Sequence, residues 1–134
     1  MTPTLFGRWQ SRFFLLGTVG SLTTLLFAVL FRSLIPFILL AVVLLLGLGW
    51  DVVYDRLQKR RWDRDWPPTL QLAAGVAEGV LLAGLLYGAR LLPPPTPTQF
   101  VLHYTAVWLT TFLASQSLMR LIFPRWRYHG GQWI

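Results

Sequence analysis

Four long apolar runs alternate with short polar breaks along this chain, and the central break differs from the rest. The first run, Phe13 to Phe31, carries no charge and is closed by Arg12 and Arg32. As a helix its nineteen residues reach about 28 Å, close to the ~30 Å thickness of a hydrocarbon core. It is longer than the apolar part of a typical signal peptide and no Ala-x-Ala-like site follows, so a retained span is expected. Arg32-Ser33 separates it from the second run, Leu34 to Gly49. Ser33 is placed to cap a new helix and Pro36 falls in its first turn, where a missing N–H is tolerated. The third run is Thr69 to Leu92; the fourth, Phe100 to Phe123, is stopped by Pro124. Between them Pro93-Pro94-Pro95-Thr96-Pro97 reads as a stiff extended connector. The pattern predicts an all-α integral membrane protein with four transmembrane helices as two hairpins. Its spans fall at about 13–31, 34–50, 69–92 and 100–123 of a single membrane domain, 1–134. A Pro-rich loop, 93–98, joins the second hairpin outside.

The central break, Trp50 to Pro68, holds nine of the seventeen charged residues and three of the seven tryptophans. Its charges have helical spacing: Asp55 with Lys59 and Arg61 with Asp65 at i,i+4, and Arg60 with Asp63 at i,i+3. Trp50, Tyr54 and Leu57 share a face, so the second helix is expected to run beyond the membrane until Pro67-Pro68 ends it. Four Asp interleaved with five cations read as self-neutralising pairs on a wet helix, not as a metal or phosphotransfer site.

Charge fixes the expected orientation. Ten of the twelve basic residues (Arg8, Arg12, five in the break, Arg120, Arg125 and Arg127) fall on one side, leaving Arg32 and Arg90 for the other. Loop 51–68 and both termini are therefore expected in the cytoplasm. The composition, 54% hydrophobic and 13% charged, leaves no room for a soluble core. The net charge of +7 is explained by cytoplasmic-side arginines without a nucleic-acid partner. The absence of cysteine removes disulfides, thiolate metal sites and iron–sulfur ligation.

Candidate chemistry is sparse. Glu78 lies inside the third run, about a third of the way through it. An intramembrane carboxylate is a functional hypothesis by default, here a proton- or cation-coupling group. The competing expectation is a hydrogen-bonded Glu that holds helices together or meets an arginine of another subunit. Ser115 and Gln116 of the fourth run, and Ser21, Thr23 and Thr24 of the first, are the polar groups expected at its depth. Small residues in the third run, Gly75, Gly79, Ala83, Gly84 and Gly88, predict close helix contact. Tyr104, Trp108, Thr111 and Ser115 form a polar stripe expected to face other helices. His103 has the chemistry to ligate a haem or chlorophyll, but no partner at matching depth, and a hydrogen-bonding role is expected instead. No zinc spacing, phosphate-binding loop, nucleophile elbow or paired catalytic carboxylate occurs, so neither an enzyme, a metal site nor a cofactor is predicted.

Four short spans with one intramembrane Glu resemble the small multidrug resistance exporters. In that family, however, the Glu lies in the first helix and the copies pair in opposite orientations, which conflicts with the ten-to-two charge bias here. The dual-topology fluoride channels meet the same conflict, and no residues carry over from either. Arg61-Trp62-Asp63-Arg64-Asp65-Trp66-Pro67-Pro68, with Ala77-Glu78-Gly79, resembles uncharacterised small membrane proteins of cyanobacteria. That resemblance implies a bacterial plasma or thylakoid membrane and no activity. The expected function is an accessory, assembly or scaffold subunit of a larger membrane complex, with the bilayer and other membrane subunits as partners. Trp62, Arg64, Asp65 and Trp66 of the loop and Arg125, Trp126, Arg127 and Trp133 of the tail are the expected contact residues, since Trp and Arg are enriched at interface hot spots. The alternative is a small homo-oligomeric transporter or channel coupled through Glu78.

Overall fold

The computed structural model describes residues 3–90, 94–128, 130 and 132, without the side chain of Arg127. Every regular element among them is helical. Helix α1 spans Leu5–Phe31, α2 Ile35–Arg60 and α3 Pro68–Gly88. Helix α4 spans Pro97–Gln116, and a short α5, Leu118–Ile122, follows it. The four long helices pack in a ring, α1 on α2, α2 on α3, α3 on α4 and α4 back on α1. Three of them, α1 to α3, are long and apolar enough to cross a membrane. Helix α4 falls short because His103, Tyr104, Trp108, Thr110 and Thr111 dilute its apolar residues.

Helix boundaries depart from the sequence pattern for local reasons. Thr4 opens α1 by accepting the Gly7 N–H at 3.1 Å. The helix therefore starts well before Phe13, and Arg8 and Arg12 are helical residues inside the bundle, not an arm ahead of it. Arg12, Leu16, Gly20, Thr24 and Ala28 recur every four residues on its inner face. An α-helix repeats every 3.6, so this stripe would drift by ~40° per turn. A π-turn at Leu16–Gly20 takes up part of that drift and keeps Thr24 and Ala28 buried. Arg32 ends α1 in the left-handed region (φ 51°), and Ser33 Oγ accepts the Ile35 N–H at 3.1 Å to start α2.

Helix α2 continues unbroken through Trp50 and Asp51 to Arg60. It stops there, short of the prolines, and Pro67-Pro68 instead opens α3, where Pro suits the first turn. The intervening turn has Arg64 at φ 51°. It is tied down by Gln58 Nε2 donating to Arg64 O at 2.9 Å and by Asp65 N donating to Asp63 Oδ1 at 3.2 Å. Helix α4 begins at Pro97, capped by Thr96, and breaks at Ser117 (φ −122°, ψ −72°), so the predicted continuous run to Phe123 is two helices. The connector expected at 93–98 falls partly outside the described residues; within it, Pro95 O accepts the Tyr87 hydroxyl at 2.7 Å.

The core is apolar at both ends of the bundle. Leu39, Leu82, Leu86 and Phe100 fill the end near Arg32. Leu15, Ala114, Met119 and Trp126 fill the end that carries the termini. There the tail folds back on the start of the chain: Trp126 Nε1 donates to Ser11 Oγ at 2.8 Å, and Thr4 N to Gly130 O at 2.8 Å. Gly130 has φ 61°, a conformation glycine adopts without strain.

Candidate functional site

The inner face of α2 is continuous in position but changes in chemistry. Leu40, Val43 and Gly47 are followed at the same helical spacing by Asp51, Tyr54, Asp55 and Gln58, and the last four are all buried. Opposite them, α1 presents Arg8 and Arg12, one turn apart. The two faces meet. Arg12 Nε and Nη2 donate to the two oxygens of Asp51, both at 2.9 Å, the parallel fork that suits guanidinium to carboxylate. Its Nη1 and Nη2 also donate to Glu78 of α3, both at 3.2 Å. Tyr54 donates its hydroxyl to the same carboxylate at 3.1 Å. One cation thus joins three helices, with side-chain exposures of 16% for Arg12, 5% for Asp51 and 12% for Glu78.

Small residues make room for this. A β-carbon on Gly47 would overlap the Arg12 guanidinium, and one on Gly75 would overlap the Trp108 indole. At Gly79 it would sit 2.7 Å from Tyr104 Cε1. Tyr104 donates to Gly75 O at 2.6 Å, so α4 locks into the α3 notch by shape and by hydrogen bond. Ala83 packs against the cluster around Leu82. Gly84 and Gly88 do not share this role: both are exposed, with open space where a side chain would project. Nine residues separate Gly75 from Gly84, and nine make about 2.5 helical turns, which places them on opposite faces.

Arg8 lies one turn from Arg12 and is held by neutral groups. Its Nη2 donates to Gln58 Oε1 at 2.5 Å and its guanidinium lies 4.6 Å from the Trp66 ring centroid. Trp66 packs on Tyr54 at 5.4 Å and Tyr54 on Trp50 at 5.6 Å. Arg8, Tyr54 and Trp66 wall a cavity of about 180 Å³ among the helices, with Trp108, Tyr104, Gln71 and Trp126 on its other sides.

Several sequence expectations are redrawn by this geometry. Asp51 and Asp55 are buried and not on a wet helix; Asp51 meets Arg12, expected only as the charge that closes the first apolar run. Asp55 does pair with Lys59, at 2.6 Å, whereas Arg61 pairs with Asp63 at 3.0 Å. That exposed pairing holds the Asp63 carboxyl below its usual range, chiefly through the Arg61 hydrogen bond. Ser115 and Gln116 do not reach Glu78. They bond Gln71 at 3.1 and 3.3 Å, seven residues earlier on α3, about 10 Å along the axis. Thr24 and Thr23 turn instead to α4, Thr24 to His103 Nε2 at 3.0 Å and Thr23 to Thr110 at 3.2 Å. His103 is buried against Phe27.

The expected contact residues divide. Trp62 is 95% exposed and Arg64 and Arg125 are exposed. Trp126 is 4% exposed, Trp66 is half-buried under Arg8, and both are spent on packing this chain; Asp65 is half-buried in the turn. The Arg127 side chain and Trp133 lie outside the described residues. Among those residues no group of three His, Asp or Glu side chains could hold a metal ion.

Comparison with family models, with curated proteins and with solved structures finds no match for this chain.

Proposed function

We propose that the chain is a four-span membrane protein, with loop and termini cytoplasmic, that serves as a non-catalytic accessory or scaffold subunit of a larger membrane assembly. The observation that carries this reading is Trp62, 95% exposed on a turn whose neighbours are fixed by Gln58, Asp63 and Trp66. A rigid turn presenting one bare indole beside exposed Arg64 has the composition of an interface hot spot. The ion cluster supports the same reading. Both oxygens of Glu78 are engaged, by Arg12 and Tyr54, which suits a keystone between helices better than a group that must exchange protons or cations. A bacterial plasma or thylakoid membrane is the proposed location, on the resemblance of the 61–68 segment.

The test is purification of Trp62→Ala from its native membrane in mild detergent. The variant is expected to insert and melt as the parent does but to lose co-purifying subunits; an unchanged set of partners overturns the proposal. Because the chain has no native cysteine, Trp62→Cys and Thr98→Cys report topology on the same preparations. The first is expected to label only from the cytoplasmic side and the second only from the other. If the purified protein is instead a clean homo-oligomer whose ion flux in liposomes is abolished by Glu78→Gln, the transporter reading replaces this one.

A further inference from the structure

The outward face of α2 changes chemistry at one depth. Ile38, Leu45 and Val53 are exposed along it, an apolar surface suited to lipid. Ile38 and Arg56 are eighteen residues apart, five full turns at 3.6 residues per turn, so Arg56 continues the same face. Arg60 follows one turn later, and both arginines are exposed. From Ile35, where α2 begins, Arg56 lies about 32 Å and Arg60 about 38 Å along the axis. A hydrocarbon core is ~30 Å thick, and ~40–45 Å with its headgroup layers. With exposed Arg32 holding the preceding turn at the opposite surface, the two arginines fall just past the acyl chains, at the depth of the lipid phosphates.

No acidic side chain of the protein is left for them. Asp51 and Glu78 take Arg12, Asp55 takes Lys59 and Asp63 takes Arg61, and Asp65 is engaged as well. Asp63, the partner that spacing suggests for Arg60, is thus already occupied. Among the described residues Arg56 and Arg60 meet no carboxylate, and as like charges at i,i+4 they repel. An anion placed between them relieves that repulsion, and the guanidinium fork matches the oxygens of a phosphate. A zwitterionic headgroup would bring its own ammonium against two cations, whereas a headgroup of net negative charge would not. An acidic segment of another protein would have to enter the headgroup layer beside lipid-facing side chains, where phospholipid already stands.

We infer that the Arg56–Arg60 face of α2 holds an anionic glycerophospholipid, its phosphate bound by the two guanidinium groups and its acyl chains laid along Val53 and Leu45. The inference rests on α2 crossing the bilayer and not on the subunit role of Trp62.

The test titrates the full chain, purified in a neutral detergent, with phosphatidylglycerol or with phosphatidylcholine of equal chain length, and reads lipid retention by native mass spectrometry. Phosphatidylglycerol is expected to bind saturably and about thirtyfold more tightly, at roughly fivefold for each arginine. Arg56→Gln/Arg60→Gln is expected to abolish the preference. Arg120→Gln/Arg125→Gln removes the same charge from the helices diagonally across the ring and is expected to leave it unchanged. Equal retention of the two lipids by the parent, or equal loss in both double variants, as a diffuse field would give, overturns the inference. So does loss of a co-purifying subunit from Arg56→Gln/Arg60→Gln with phosphatidylglycerol retention intact, which would assign the face to a protein contact. The membrane reading fails separately: Trp62→Cys and Thr98→Cys labelled from one side overturn it and the lipid site together, whereas labelling from opposite sides without phosphatidylglycerol retention overturns the lipid site alone.

Discussion

Replacing Arg12 by methionine is the sharpest perturbation of this structure. Four hydrogen bonds to two carboxylates disappear, and Asp51 and Glu78 are left facing each other with little exposure. Charge-assisted hydrogen bonds contribute about 1.5–3 kcal/mol each, so the gross interaction lost is several kcal/mol. Most of that gain was already offset in the parent by taking three charges out of water. What remains is the cost of stranding the carboxylates, about 3–5 kcal/mol for a broken buried pair. An exposed ion pair would contribute less than about 1 kcal/mol. Removing all three charges at once, in Arg12→Met/Asp51→Leu/Glu78→Leu, strands no carboxylate; only Arg8 loses the nearby Asp51 charge and Tyr54 its Glu78 acceptor, and apolar replacement of a buried ionic cluster is often neutral or stabilising. The triple variant should therefore be more stable than the single one, a large departure from additivity expected for residues sharing one network.

Reversible unfolding of the purified protein by sodium dodecyl sulfate in mixed micelles, followed by tryptophan fluorescence, measures both variants on one scale. A single variant that loses less than about 1 kcal/mol would mean that the cluster is wet and behaves as a surface pair. A triple variant less stable than the single would mean that the charges are held by more than one another. Either result refutes the picture of Arg12 as the joint between α1, α2 and α3.

Two further outcomes test the packing. Gly75→Ala is expected to destabilise by about 1–3 kcal/mol, because the added methyl must displace Trp108 from its notch, while Gly84→Ala, with open space around it, should be neutral or stabilise by up to ~1 kcal/mol through helix propensity; the same detergent unfolding assay reads both. Trp126→Ala should cost about 3–5 kcal/mol, as expected for a buried aromatic, and loosen the tail enough to speed proteolysis after Phe123, whereas Trp62→Ala should leave unfolding within ~0.5 kcal/mol of the parent.

The helical class was legible because long uncharged runs allow little else in a membrane. Boundaries were less so, for a physical reason. Charge marked the water interface in the sequence pattern, so the first helix was expected to begin only after Arg12. Yet α1 starts at Leu5, since neither Arg8 nor Arg12 breaks a helix; α2 does run on through Asp51 and Asp55 as expected, but to Arg60 and not to the prolines. A left-handed Arg32 stops α1, whereas α2 ends where Arg61 turns extended (φ −75°, ψ 144°), and Pro67 stands at the start of α3. Trp126 illustrates the converse error. Its basic surroundings suggested a contact for another subunit, while its place in the fold is set by Ser11 and Leu15 at the other end of the chain, contacts no local pattern records.

The ion cluster itself left a signal that spacing exposes. Asp51, Tyr54, Asp55 and Gln58 stand at i, i+3, i+4 and i+7, the repeat of one buried helix face. Arg8 and Arg12 stand at i and i+4 on a helix that must run antiparallel to it, because Arg32-Ser33 allows only a hairpin. Counting outward from that turn, Arg12 is 20 residues before Arg32 and Asp51 is 18 residues after Ser33. At ~1.5 Å per residue these come to about 30 and 27 Å from the turn, within reach of a guanidinium. A lone Glu in the third helix then has a cation waiting at its depth. Glu78 accordingly bonds Arg12 and Tyr54 and not the hydroxyls and amide of α1 and α4 expected at its depth, because a cation neutralises a carboxylate that those groups could only solvate.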